Sequence, residues 1–484
     1  MRIPIDRQSE TPLYRQIEEF FRRNILSGNL PAETRLPATR ELARDLELNR
    51  ITIENAYAEL EADGLIYTRP GSGAYVLPPT APPATTPPGV DIPLPRWQNE
   101  LQPLTAIIRT DLPIETADPD IINFADGGGD AQRFPADDFR KYIQAVIRRD
   151  GIAALEYGDR NGYPPLRHTI AHILASQGLQ THPDNILITG GSQQAISLVV
   201  QLLLKPGDVI LVENPTYGGA LDLFRSHHLQ IVGIPMDTQG MQIPALETLL
   251  QRYPARLLYT IPNFQNPTGT CLNSQRRRQL LALADRYNLP ILEDDFVGDL
   301  RYDGRVQPTL KALDPGGRVI YISTFSKMLM PGLRIGFLVA EGPVYSGLAG
   351  YKRAHDLATS NLIQRALEAY VTIGRYQAHL RRSCQLYRRR RDTMQQALRY
   401  ELPQLQYHLP QGGLFIWAKL PPALSATRLL PLAIREGVTF APGPQFFPEE
   451  DSGDACLRLN FAAHSPEKII VGIQRLKQAL QKLS

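Results

Sequence analysis

Four short stretches of this chain gather residue types that do chemistry on anions and amines. Ser323-Thr324-Phe325-Ser326-Lys327 follows an apolar run, and Arg334 comes seven residues later. The chain has nine lysines against 43 arginines, so a lysine set among hydroxyls stands out. Lysine shifts its pKa readily and forms Schiff bases, which arginine does not. Hydroxyls together with Arg334 suit a dianionic phosphate. The pair Asp294-Asp295 ends another apolar run. A carboxylate at a buried strand end needs a partner, either a protonated heterocyclic nitrogen or a buried arginine. The turn Gly190-Gly191-Ser192-Gln193 lies between an apolar run and a helical pattern over residues 195–201. Such a turn either aims backbone N–H groups at an anion or is a plain connection. No Gly-Lys-Ser/Thr follows it, so it is not a nucleotide P-loop. Asn263-Phe264-Gln265-Asn266-Pro267-Thr268-Gly269 follows the run LLYTIP and reads equally as a functional or a structural turn.

The elements that must carry these residues are short apolar runs separated by helical segments. They are LITG, DVILVE, LLYTIP, PILEDD, RVIYIS and RIGFLVA. That alternation predicts an α/β domain with a largely parallel sheet, whose ligands sit at the strand ends. From about residue 360 helices dominate, followed by GLFIWAKL and a strand through residues 457–461, which predicts a smaller C-terminal α+β subdomain.

Residues 77–97 contain eight prolines and mark a linker. Upstream, Leu13, Ile17, Phe20, Phe21 and Ile25 share one helical face, which ends near Ser27-Gly28. A second helix is expected over residues 39–46, with Leu42, Ala43 and Leu46 inward. Asn49 can cap a third, in which Ile53, Ala56, Tyr57 and Leu60 face the core and Arg50, Thr52 and Asn55 face outward. LIYTR and AYVL then flank Pro70-Gly71-Ser72-Gly73 as a hairpin with Arg69 beside its tip. Three helices and a hairpin make a winged helix-turn-helix, which reads DNA with the third helix and the wing.

The segment from Gly28 to Val76 resembles the GntR-type DNA-binding domain, with Arg35, Arg40, Arg50 and the wing glycines Gly71 and Gly73 in place. Thr39 and Asn49 stand where that family usually has serine. The resemblance implies DNA contacts from Arg35, Thr39, Arg40, Asn49, Arg50, Thr52, Arg69 and Gly71. The set TGGSQQ, ENPTY, NPTG, EDD and SK with a downstream arginine resembles fold-type I aminotransferases over residues 100–484. By that resemblance the cofactor is pyridoxal 5′-phosphate, held by Lys327 as a Schiff base. Asp294 pairs with the pyridine nitrogen, Asn266 donates to the ring oxygen and Tyr217 stacks on the ring. Ser192, Gln193, Thr324, Ser326 and Arg334 hold the phosphate, and Arg458 takes an amino-acid carboxylate. Tyr157 matches a tyrosine that reaches the neighbouring subunit's phosphate. One position departs: the tyrosine usual after the Asp-Asp pair is Phe296, which cannot donate a hydrogen bond.

The whole chain of 484 residues resembles the MocR branch of transcription regulators, with a reading head over residues 1–77, a linker over 78–97 and an aminotransferase-like domain over 98–484. The resemblance implies a domain-swapped homodimer, a double-stranded DNA operator, and a small amine, amino acid or vitamer as effector. A working aminotransferase carrying a DNA-binding module is the alternative. Bulk charge does not decide the matter. Residues 1–77 hold ten arginines and twelve acids, so a local patch, not net charge, must meet DNA. The run Tyr387-Arg388-Arg389-Arg390-Arg391 reads as a solvated helix face or subunit contact before a second nucleic-acid patch. Three scattered cysteines and histidines without ligand spacing predict neither disulfide nor metal site, and no stretch reaches the length of a membrane span. A cytoplasmic protein is expected.

Overall fold

The computed structural model describes residues 3–7, 9, 11–69, 72–77, 118, 120–372, 374–449 and 452–483. Two of the expectations above, the wing residue Gly71 and the linker, lie outside the described residues. The chain divides into two compact units, Met1–Leu101 and Gln102–Ser484.

In the first unit α1 spans Leu13–Leu26, α2 Thr39–Asp45 and α3 Arg50–Ala62. Strands β1 (Ile66–Arg69) and β2 (Gly73–Val76) pair antiparallel. Ile17, Phe21, Leu42, Ile53, Tyr57 and Leu60 form one core, as their helical spacing requires. Asn49 accepts the Ile51 N–H at 3.0 Å and so caps α3. The segment before α2 adds a third line to the hairpin: Leu36 N–H donates to Ala74 and Val76 N–H to Thr34.

In the second unit eight strands form one sheet. They are β3 (Ile186–Thr189), β4 (Val209–Asn214), β5 (Gln230–Asp237), β6 (Gly240–Met241), β7 (Ala255–Thr260), β8 (Ile291–Asp294), β9 (Val319–Thr324) and β10 (Gly336–Val339). Their order is β3-β10-β9-β8-β7-β4-β5-β6. The stretch β9-β8-β7-β4-β5 is parallel throughout, while β10 runs antiparallel to both its neighbours. Strands β3, β8, β9 and β10 are buried at every position, which is why they read as unbroken apolar runs. Glu293 interrupts one run, and its carboxylate accepts the backbone N–H groups of Leu310 and Lys311 at 2.7 and 2.8 Å, which offsets part of the cost of its burial.

A smaller antiparallel sheet follows: β11 (Gln406–Tyr407), β12 (Phe415–Lys419), β13 (Ala441–Pro442) and β14 (Cys456–Asn460), in the order β11-β12-β14-β13. Residues Ile122–Asn123 pair in parallel with Val438–Thr439, which ties this early strand to the C-terminal part.

The arginine run lies on a long helix, α4 (Arg375–Glu401). Two of its members are not solvated. Arg390 is buried against Asp130 at 2.6 Å, and Arg391 reaches Asp303 at 2.7 Å and the Pro410 carbonyl at 2.9 Å. They fasten remote segments to the helix, which removes them as a nucleic-acid patch. Arg390→Ala strands the buried Asp130 carboxylate and should destabilise the second unit by about 3–5 kcal/mol. Chemical denaturation of the variant checks this, and a change below about 1 kcal/mol would contradict it.

Candidate functional site

The turn after β3, the ends of β8 and β9 and the loop before β10 converge on a cavity of about 930 Å3. The turn is shaped by close approach. Gly191 has φ +104°, and a Cβ there would fall 2.7 Å from an Arg334 guanidinium nitrogen. A Cβ on Gly336 would fall 2.7 Å from the Gly191 carbonyl carbon, so glycine at both positions lets the turn lie against β10. Arg334, itself left-handed at φ 49°, donates to the Gly190 carbonyl at 2.8 Å.

The cavity is lined by Ser192, Gln193, Tyr217, Asn266, Asp294, Thr324, Ser326, Lys327, Arg334 and Arg458. The structure thus brings together every cavity residue expected from one chain. Phe296 also lines it. Tyr157 does not; it stands 83% exposed, with Ile152 and Leu155 exposed beside it in sequence.

Asp294 is buried, and its Oδ2 accepts the Tyr259 hydroxyl at 2.8 Å while Oδ1 has no partner. Burial pushes its carboxyl up to about 7, against the stabilising Tyr259 bond and with help from the nearby Asp295 and Glu213 charges. Among the described residues no arginine plays the partner. The buried Arg277 instead donates to the Leu272, Pro308 and Pro262 carbonyls and to Asn263, which in turn donates to Asp295 at 3.0 Å. Ser326 Oγ and Gln193 Oε1 are likewise buried without partners.

Burial lowers the Lys327 pKa, with Asp126 opposing that shift and Arg458 and Arg334 adding to it. Arg458 lies between the Phe415 and Phe446 rings, its carbon 4.1 and 5.0 Å from their centroids. It donates to Asn266 Oδ1 at 2.9 Å and to the Ala125 carbonyl at 2.6 Å, while its Nε is buried without a partner. Desolvation brings this guanidinium down to about 10.

Sequence reasoning passed over the segment from Asn123 to Gly129. Asn123, Ala125, Asp126 and Gly127 line the cavity, and a Cβ on Gly127 would stand 3.4 Å from Lys327 Nζ. The run Asp126-Gly127-Gly128-Gly129-Asp130 was the available signal, since glycines let backbone pass close to a site. Tyr259 was also missed, because a buried strand tyrosine looks like core.

In the first unit, Arg35, Arg40, Asn49 and Arg50 are exposed and Thr39 and Thr52 half-buried. Arg50 pairs with Glu54 at 2.6 Å, and Arg69 lies over the Tyr67 and Tyr75 rings with Glu33 at 3.7 Å. A Cβ on Gly73 would stand 3.3 Å from Arg35 Nε, so Arg35 lies along the wing.

Residues 13–76 match the bacterial regulatory proteins of the gntR family, and residues 119–476 match aminotransferase class I and II. The chain is 32% identical to the probable rhizopine catabolism regulatory protein MocR of Rhizobium meliloti, over 99% of this chain and 96% of that protein. The chain belongs to the MocR-type regulators. Its second unit is also 37% identical to aromatic-amino-acid aminotransferase 1 of Thermococcus litoralis, covering 76% of this chain and 89% of that protein. Among solved structures, the α-aminoadipate aminotransferase LysN of Thermus thermophilus, complexed with N-(5′-phosphopyridoxyl)-L-leucine, superposes with a TM-score of 0.73 at 34% identity, covering 80% of this chain and 98% of that one. The MocR-type chain described here therefore joins a GntR-type helix-turn-helix to a domain of the aminotransferase fold, a family that depends on pyridoxal phosphate. No helix among the described residues is long and apolar enough to cross a membrane.

Proposed function

We propose that this regulator holds pyridoxal 5′-phosphate in the cavity, reads an amine, amino acid or vitamer there, and changes its grip on a DNA operator in response. The observation that carries the reading is the presence, in one cavity, of a half-buried lysine and a buried carboxylate that no cation among the described residues satisfies. A protonated pyridine nitrogen is the partner that Asp294 Oδ1 lacks, so these residues fit the cofactor.

Bound there, the cofactor supplies an electrophilic carbonyl carbon conjugated to a pyridinium ring. Lys327, desolvated toward its neutral form, is the amine that would hold that carbon, and an amine ligand would compete with it there. Asp294 keeps the ring nitrogen protonated. Asn266 has given its carbonyl to Arg458, which leaves its amide N–H groups for the ring oxygen. Tyr217 stacks, and Ser192, Gln193, Thr324, Ser326 and Arg334 cradle the phosphate. Arg458 takes a carboxylate through its unpartnered Nε. The exposed Ile152, Leu155 and Tyr157 fit a homodimer in which Tyr157 completes the partner's phosphate site.

A working aminotransferase is the second reading, favoured by the complete set Lys327, Asp294 and Arg458 at the cavity. Regulation is preferred because a reading head is fused to the site, and because Phe296 brings no hydroxyl to it. The coupling between amine and operator requires two conformations that bind the amine unequally. Operator affinity measured with and without the bound amine should therefore differ; identical affinities would reject the sensor reading. Arg50→Ala should weaken operator binding by roughly 1–3 kcal/mol if Arg50 reads a base edge. Unchanged affinity in a gel-shift titration would move the reading face elsewhere.

Cofactor removal has a predicted pH signature. Asp294 titrates near 7 in the fold, above the usual carboxylate range near ~4, so the folded state binds the extra proton between those values. The cost of its buried charge is absent below that window and complete above it. Apoprotein should lose stability as pH rises from about 4 to about 7, and the loaded protein should lose less, because the pyridinium pairs the charge. The other raised carboxyls, Glu213, Glu293, Asp295 and Asp299, are present in both forms, so the difference between the two forms reports on the partner of Asp294. Parallel melting curves for the two forms would contradict the Asp294 assignment.

A further inference from the structure

Three carboxylates line the cavity among the described residues: Asp126, Asp222 and Asp294. Asp222 is paired with Arg225 at 3.1 Å, and Asp294 is the ring partner in the reading above. Asp126 makes no ion pair of that kind among the described residues, although its charge acts on Lys327 and Arg458. Its Oδ1 accepts only a neighbouring backbone N–H, that of Gly128 at 3.0 Å. Its backbone, by contrast, is held firmly. The Asp126 carbonyl accepts Asn460 Nδ2 at 2.9 Å, the Gly128 carbonyl accepts the same amide at 2.7 Å, and Arg458 grips the Ala125 carbonyl at 2.6 Å. The far end of the segment is fixed by the buried Arg390–Asp130 pair. The Asp126 carboxylate is therefore displayed from a rigid support, on the wall where Gly127 comes within 3.4 Å of Lys327 Nζ by its missing Cβ.

The charges of the site explain what is left for Asp126 to do. Phosphate takes up Arg334 and the pyridinium takes up Asp294. Burial drives Lys327 toward its neutral form, and the Asp126 charge opposes that shift. Arg458 keeps a buried Nε for an anion. Arg458 and Asp126, one of each sign, feel each other across one cavity wall, and these are the two charges left to meet a ligand.

We infer that Asp126 is a specificity-determining residue that selects amines bearing a second cationic nitrogen, namely diamines and basic amino acids. The inference rests on the proposed reading of the cavity as an amine site. One nitrogen of such a ligand reaches the cofactor carbon in place of Lys327, and the other is met by Asp126. An acidic side chain brought to the same place meets like charge, and a neutral one leaves Asp126 with nothing but water.

The test is a spectral titration of the full, cofactor-loaded chain with matched pairs, ornithine against norvaline and putrescine against butylamine. Wild type and Asp126→Asn are compared, since asparagine keeps the Gly128 hydrogen bond and removes only the charge. The expected result is a preference of about tenfold or more for the dicationic member of each pair, the step made by about 1.4 kcal/mol. In Asp126→Asn that preference should vanish while the neutral members bind as before. Equal affinity within the wild-type pairs overturns the inference, as does a preference that survives in Asp126→Asn. If no amine of any charge perturbs the cofactor spectrum, the amine-site reading itself fails and this inference falls with it. If neutral amines do perturb it and dications gain nothing, only the role of Asp126 fails.

Discussion

Lys327→Ala abolishes the borohydride-reducible link between this chain and pyridoxal 5′-phosphate and leaves the fold in place. The loss is complete because nothing else near the cofactor carbon can form the bond. Of the nine lysines, Lys327 alone lines the cavity, and arginine does not form Schiff bases under these conditions. The fold survives because removing a half-buried, desolvated amine breaks no ion pair among the described residues. Mass spectrometry of the reduced, proteolysed protein reads the label directly. A variant still labelled in the peptide that carries residue 327, or one that loses its cooperative melt, would overturn the assignment.

Asp294→Ala gives the second large effect. It leaves the ring nitrogen without its counter-charge in a buried site, and breaking such a pair costs about 3–5 kcal/mol. Cofactor affinity of the apoprotein, measured by equilibrium dialysis, should fall by more than about a hundredfold. The same substitution removes an unpaired buried charge from the apoprotein, whose melting temperature at pH 8 should rise or hold. Those opposite signs separate a cofactor partner from a structural carboxylate, for which both affinity and stability would fall together.

The contrast between what could and could not be read in advance follows from the range of the interactions. The reading head was legible because Ile17, Phe21, Ile53, Tyr57 and Leu60 repeat at helical spacing, and because Asn49 needs only Ile51 to act as a cap. The strands of the main sheet were legible because burial on both faces leaves an unbroken apolar run. Strand β5 was not, since it lies towards the sheet edge, is largely half-exposed or exposed, and carries no such run. The antiparallel direction of β10 was hidden as well, because a buried run has no sign. Arg390 and Arg391 read as solvated charge because their partners, Asp130 and Asp303, lie far away in sequence. Asp126 was hidden for the same reason: Arg458 and Asn460, which hold its segment, come from the other end of the chain. Local chemistry could be read from the motifs, whereas the wall that faces it is built from both ends of the domain.

The division of labour between sensing and turnover follows from the same cavity. Every residue proposed to hold the cofactor from within one chain faces it. The feature that sets this chain apart from the aminotransferases it resembles is the reading head in front of that domain. Phe296, at 7% exposure against the cavity, leaves the ring oxygen to Asn266. In the proposed reading a single donor would tune the cofactor less finely than two, which would disfavour rapid turnover more than binding.

The most direct measurement is a spectral titration of the purified, cofactor-loaded protein with a panel of amino acids and amines, with oxo-acid assayed in parallel. The account predicts that a ligand displaces Lys327 and shifts the cofactor spectrum, and that the change stops there, without pyridoxamine phosphate or oxo-acid. Sustained conversion to pyridoxamine phosphate, with turnover by an oxo-acid acceptor, would contradict the sensor reading and make this domain an enzyme.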